Sequence, residues 1–166
     1  MSRRIIELIM DNVKARAVMF DKEMPRTCNA IWELLPLKDK VEHGIWVGRE
    51  VWLILDGDKF LKLEQEWRPP LFVLPGDICY AYRQPHLSRG KTSGRDELAE
   101  IAIYYGRDCR LWNVRGGPII WGKMSGFFTH GYRMHFARII DNRESFEQVL
   151  SKCRTEGSKE LIIQRA

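Results

Sequence analysis

The side chains best able to do chemistry here are four histidines, four cysteines and a scatter of arginines. A metal centre needs three or four ligands converging on one point. His43, His86, His130 and His135 are dispersed, and the five-residue step from His130 to His135 puts those two on opposite faces of a single strand. The histidines are read as isolated hydrogen-bonding residues, and no metal is expected. Cys28, Cys79, Cys109 and Cys153 include no C-x-x-C pair, which argues against a zinc ribbon or a thioredoxin-type redox motif. No cysteine has a histidine beside it in sequence to mark a thiol nucleophile, although pairing in space is left open. Ser88 and Ser93 lack the G-x-S-x-G elbow of a serine hydrolase. Gly90-Lys91-Thr92-Ser93 imitates the end of a phosphate loop without the preceding glycine spacing or a following apolar helix, so it reads as a flexible turn. Trp46, Trp52, Trp112 and Trp121 lie in or beside strand-like runs. Most are assigned to the core, with one or two at the mouth of a pocket, where an indole N–H finds a partner.

The composition sets the frame for these residues. The 166 residues suit a single domain, 1–166, and 45% hydrophobic with 30% charged is globular rather than disordered. Six Trp, five Tyr and seven Phe are enough to fill a core and line a pocket. The net charge of +5 is spread along the chain, with Arg3-Arg4 the longest basic run, which argues against nucleic acid as the partner. Free buried thiols, no signal-like N-terminus and no long apolar run lead to the expectation of a reduced, cytoplasmic protein without a membrane span.

The elements that must position a site follow from periodicity. Ile5, Ile6, Leu8, Ile9 and Met10 suggest a strand, Asp11-Asn12 a turn, and Val13 to Phe20 alternates, which predicts a hairpin with Val13, Ala15, Ala17 and Met19 on one face. Pro25 opens a helix whose apolar face is Cys28, Ile31, Leu34 and Leu35, and Pro36 ends it. Strands are predicted within Ile45 to Leu55, around Phe60 to Leu63, and over Ile78 to Tyr82 after the turn Pro75-Gly76-Asp77. Further strands are predicted over Ile101 to Tyr105, Arg110 to Val114, Ile119 to Trp121 and Tyr132 to Ile140. In the last, Tyr132, Met134 and Phe136 share one face, with Arg133 and His135 on the other. Residues 83–98 read as a long exposed loop. Asp141 or Asn142 caps a second helix carrying Phe146, Val149, Leu150 and Cys153; Gly157 stops it, and Leu161 to Ile163 closes the chain. Eight or so strands with two short helices is the composition of a mostly β, closed barrel, in which closure removes exposed sheet edges.

Two motifs on these elements carry a resemblance. The passage Val18-Met19-Phe20-Asp21-Lys22-Glu23-Met24-Pro25-Arg26-Thr27-Cys28-Asn29-Ala30 resembles the cyclophilin strand-to-helix passage, where a Pro-Lys-Thr-like triplet opens the first helix. His135-Phe136-Ala137-Arg138-Ile139-Ile140, with the turn, helix and strand after it, resembles the cyclophilin passage containing Phe-Gly-Lys and two apolar residues. Together they span roughly 45 residues at the two ends of the chain. Gly76-Asp77-Ile78-Cys79-Tyr80 and Tyr104-Tyr105-Gly106 resemble a bacterial group of cyclophilin-like proteins with no assigned reaction.

The resemblance implies a cyclophilin-like closed barrel and raises the question of prolyl isomerisation. That reaction crosses a barrier of roughly 18–20 kcal/mol set by amide resonance. It needs a fixed guanidinium aimed at the proline amide beside an aromatic floor. Gly44 and Arg49 keep the family's spacing, but Val47-Gly48 replaces Phe-His, Ile119, Ile120 and Trp121 replace the Phe-Phe floor, Phe128 falls at the family's Trp, and Arg133 at its His. The resemblance thus implies a groove of Arg49, Trp121, Phe128 and Arg133 without the full isomerase set. The expected partner is a small molecule or peptide, with a carboxylate gripped by arginine and an apolar or planar body against rings. No cofactor is expected. A divergent prolyl isomerase is the alternative, and a nucleic-acid-binding barrel using Arg89, Lys91 and Arg95 is the third.

Overall fold

The computed structural model describes residues 3–44, 48–64, 66, 73–83, 97–107, 109 and 131–166, except the side chains of residues 83 and 131–133. Asp11 and Asn12 both take positive φ (48° and 63°), the conformation that joins two right-twisted strands by a two-residue turn. They connect β1 (Ile5–Met10) to β2 (Val13–Met19). Ala15, Ala17 and Met19 are buried on the expected face, with Val13 packed at its margin. Pro25 begins α1 (Pro25–Leu34), and Cys28 and Ile31 are fully buried.

The chain continues through β3 (Leu37–His43), β4 (Glu50–Leu55), β5 (Asp77–Arg83), β6 (Leu98–Tyr104) and β7 (Gly131–Ile139), then α2 (Arg143–Glu156) and β8 (Lys159–Arg165). Among the described residues these elements, with one 3₁₀ turn over Gly57–Lys59, make a mostly β fold with two α-helices. The strands close in the order β1-β2-β7-β5-β6-β4-β3-β8. Every ladder is antiparallel. Inward side chains such as Leu8, Leu53, Ile101 and Phe136 share one core with Ile31 of α1 and Phe146 and Leu150 of α2.

All seven residues of β6 are buried. Ala99, Ile101 and Ile103 face the main core. Ala102 and Tyr104 belong to a separate cluster with Val73, Cys79 and Cys109. The sheet is therefore covered on both faces at β5 and β6.

Two local expectations are corrected and one strand is added. Phe60 to Leu63 is not a strand: the 3₁₀ turn leads into an extended segment without strand pairing, whose Phe60, Leu61 and Leu63 pack on the core. β3 was not foreseen, because its alternation rests on only two buried apolar side chains, Leu37 and Val41, among five charged or His positions. Asn142 is at the N-cap of α2 with φ 45°, and neither it nor Asp141 caps through a side chain. Asn142 Nδ2 instead donates to the Lys14 carbonyl (2.7 Å), and Asp141 accepts from the Arg16 amide (2.6 Å) and its guanidinium. The segments expected over Arg110 to Val114 and Ile119 to Trp121, and residues 84–96 of the expected loop, lie outside the described residues.

Candidate functional site

The register of the ladders brings four strand ends together. Glu50 pairs with Tyr104, Ile103 with Ile78, and Asp77 with Arg138. The start of β4, the end of β6, the start of β5 and the end of β7 therefore lie at one level, beside the first turns of α2. A cleft of about 760 Å³ opens there. Four guanidiniums line it, from Arg49, Arg107, Arg138 and Arg143, together with the carboxylates of Glu144 and Glu147. Leu74, Pro75 and Tyr105 supply its apolar part, and Leu74 is one of two large hydrophobic residues exposed among the described residues.

The tight turn Leu74–Asp77 shapes one wall. Pro75 fits its second position and Gly76, at φ 90°, its third, and the Asp77 amide donates to the Leu74 carbonyl at 3.0 Å. Asp77 Oδ2 accepts from the Leu74 amide at 2.8 Å. A Cβ on Gly76 would lie 3.0 Å from Arg143 Cδ, so the missing side chain also lets the Arg143 stem cross the turn.

Asp77 is almost fully buried and anchors the next arginine. Its Oδ1 accepts from Arg138 Nε at 2.6 Å. His135 Nε2 sits 3.1 Å from the same oxygen, within electrostatic reach but off the hydrogen-bond line. Burial opposes ionisation of Asp77, but His135, Arg138 and the Leu74 amide outweigh it and hold the carboxyl below its ordinary range.

Ahead of β4, the Arg49 carbonyl accepts from the Tyr105 amide (2.9 Å) and the Cys109 thiol (3.1 Å), which fixes the backbone from which this exposed side chain projects. The Tyr105 hydroxyl bonds His43 Nε2, and the two rings meet edge to face with centroids 5.8 Å apart. Burial pushes the Tyr105 hydroxyl up to about 12, while burial and the nearby Arg154 charge lower His43. The pair is thus neutral near pH 7, joined by one hydrogen bond. Arg107 follows Gly106 and makes no ion pair among the described residues.

Of the four groove residues expected from the sequence, Arg49 lines this cleft. The Arg133 backbone pairs with Ala81, five residues along β7 from Arg138. At about 3.3 Å per residue that is roughly 16 Å from the level of the cleft. Trp121 and Phe128 lie outside the described residues, as do Ser88, Ser93, Arg89, Lys91, Arg95, His86 and His130. Sequence reasoning missed Arg107, Arg138, Arg143 and Glu147. The available signals were the Arg143–Glu147 spacing on one helix face and the Pro-Gly turn ahead of a strand.

The remaining reactive groups are subdued. Burial pushes the Cys28 thiol up to about 12 and raises Cys153, so neither is a ready nucleophile. Trp52 is half-buried in β4, with its indole N–H unpartnered among the described residues. Among the described residues no three of His, Cys, Asp and Glu converge to hold a metal ion, and no helix is long and apolar enough to cross a membrane.

Comparison with known proteins agrees with the fold. The structure of McbB in complex with tryptophan is similar at a TM-score of 0.59 and 14% identity, over 96% of this chain and 44% of that one. The chain thus spans less than half of McbB. The solution structure of the hypothetical protein AF2241 from Archaeoglobus fulgidus is similar at a TM-score of 0.55 and 16% identity, over 99% of this chain and 95% of that one. At these identities the likeness concerns the fold alone. No curated protein matches the chain. Residues 6–163 match a family described as protein of unknown function (DUF3830), and the chain belongs to that family.

Proposed function

We propose that the chain is one cyclophilin-like domain, 1–166, whose arginine-lined cleft binds a small molecule bearing a carboxylate on an apolar or planar body. The observation that carries this reading is the meeting of four guanidiniums from separate segments at a preformed cleft with an apolar lip. Guanidinium grips carboxylate through two parallel hydrogen bonds, a geometry a lysine does not offer. A cleft of about 760 Å³ is within the range of small-molecule sites, roughly 300–1,000 Å³. All four arginines are proposed contacts, and Arg49 and Arg107, both exposed at the cleft, are the two taken first to test. Trp121 and Phe128 are the proposed ring contributors, and Arg138 takes the place foreseen for Arg133. Four buried free thiols support a reducing, cytoplasmic setting.

McbB is described in complex with tryptophan, a carboxylate on a planar apolar body, which makes indole acids natural probes. The test is a thermal-shift screen of small carboxylic acids, including tryptophan and indole-3-propionate, on wild type, Arg49→Ala, Arg107→Ala and Arg133→Ala. The expected result is saturable stabilisation of wild type that the first two substitutions reduce and the third leaves alone. At a hundred times Kd the gain is about 2.7 kcal/mol. If no acid stabilises wild type, or stabilisation survives both Arg49→Ala and Arg107→Ala, the reading fails.

A further inference from the structure

The cleft holds carboxylates as well as guanidiniums, and one of them is incompletely satisfied. Glu147 lies one turn after Arg143 on α2, with Arg143 Nε 3.1 Å from its Oε1. The approach is off the hydrogen-bond line, and this oxygen is buried with no hydrogen-bond partner among the described residues. The side chain is only one-fifth exposed, so water reaches it poorly. Buried carboxylate oxygens are normally matched by donors, because leaving one bare forfeits its hydration without return. The second carboxylate, Glu144, lines the same cleft and adds negative potential at this wall. Burial and the Glu144 charge raise the Glu147 carboxyl, against the pull of Arg143.

We infer that the cleft is built for a zwitterion, with the ligand's carboxylate on the cleft's arginines and an ammonium group on Glu147, so that α-amino acids with apolar or aromatic side chains are the favoured class. The inference rests on the anionic-ligand reading above. Guanidiniums and a carboxylate lining one cleft hold both ends of such a ligand, and Leu74 and Pro75 supply apolar surface for its side chain. A ligand with a carboxylate alone satisfies the arginines but leaves Glu147 bare and adds a like charge near it. The ammonium thus supplies both the missing donor and the missing charge.

The experiment is isothermal titration of matched pairs, phenylalanine against 3-phenylpropionate and tryptophan against indole-3-propionate, on wild type and on Glu147→Gln. The expected result is binding about tenfold or more tighter for the amino acid, as a charge-assisted hydrogen bond implies, collapsing to within about threefold in Glu147→Gln. The wild-type comparison needs no variant, so a poorly folded Glu147→Gln does not stall the test. Glu147→Asp, which keeps the charge but shortens its reach, is expected to give an intermediate gap. Equal or tighter binding of the acid lacking the amine overturns the zwitterion and leaves the anion cleft standing. Failure of both members of each pair to bind overturns the two together.

Discussion

Asp77 Oδ1 and Arg138 Nε meet at 2.6 Å because β7 carries one residue more than β5 where they pair. Ile78 pairs with Ala137 and Cys79 with His135, so Phe136 has no opposite number on β5. Strict alternation from Met134 and Phe136 would send residue 138 into the core. The extra residue instead puts Ala137 and Ile139 inside and turns Arg138 out beside Asp77 and the cleft. Bulges next to functional sites commonly re-aim a side chain in this way.

Asp77→Asn should therefore destabilise the protein by about 1.5–3 kcal/mol near neutral pH, the range for hydrogen bonds to a charged group. The native carboxyl is held below its ordinary value, so its contribution is fully present above the unfolded aspartate value of about 4 and is lost as pH falls through the lower native value. Urea unfolding at several pH values checks this: the gap between wild type and Asp77→Asn should narrow below about pH 4. A gap that widens with acid would show the sign to be wrong.

Phe136 is fully buried, and its carbonyl accepts from the Phe20 amide at 2.8 Å. Phe136→Ala should cost about 3–5 kcal/mol by opening a cavity in the barrel. An unchanged melting temperature would contradict the inward phase of β7.

Gly76→Ala combines a positive φ of 90° with a Cβ placed 3.0 Å from Arg143 Cδ. The left-handed backbone alone costs a residue with a Cβ about 1–2 kcal/mol. The substitution should lower the melting temperature and, by displacing Arg143, weaken ligand binding at the cleft. Wild-type stability together with wild-type affinity would remove Gly76 from the account of the site.

Catalysis of X–Pro rotation should be absent or far below that of a true cyclophilin, because Val47-Gly48 stands before Arg49 in place of Phe-His. A proline-tetrapeptide assay checks it. A rate within about tenfold of a cyclophilin, lost in Arg49→Ala, would restore the isomerase reading.

Much of the barrel was legible in the sequence because its signals are local. Asp11-Asn12 marks the first hairpin, and Phe146, Val149, Leu150 and Cys153 mark α2 by their spacing. β3 was not legible, because Lys38, Asp39, Lys40 and Glu42 mask an alternation held by Leu37 and Val41 alone. Phe60 to Leu63 misled in the opposite sense: its apolar side chains serve packing without a ladder. Of the residues lining the candidate cleft, the sequence pointed only to Arg49, and through resemblance. Arg138 depends on a one-residue bulge that leaves no mark on composition. Arg107, Arg143 and Glu147 each look like ordinary surface charges until the ladders bring their elements to one level.

The central claim is that this cleft takes a carboxylate on its arginines, and the most direct measurement follows the arginine Nε–Hε resonances by NMR during titration with indole-3-propionate. Saturable shifts at Arg49 and Arg107, with Arg3 ahead of β1 and Arg16 on β2 unmoved, are the predicted result. Resonances that do not move at Arg49 and Arg107, or that move no more than those of Arg3 and Arg16, would contradict it.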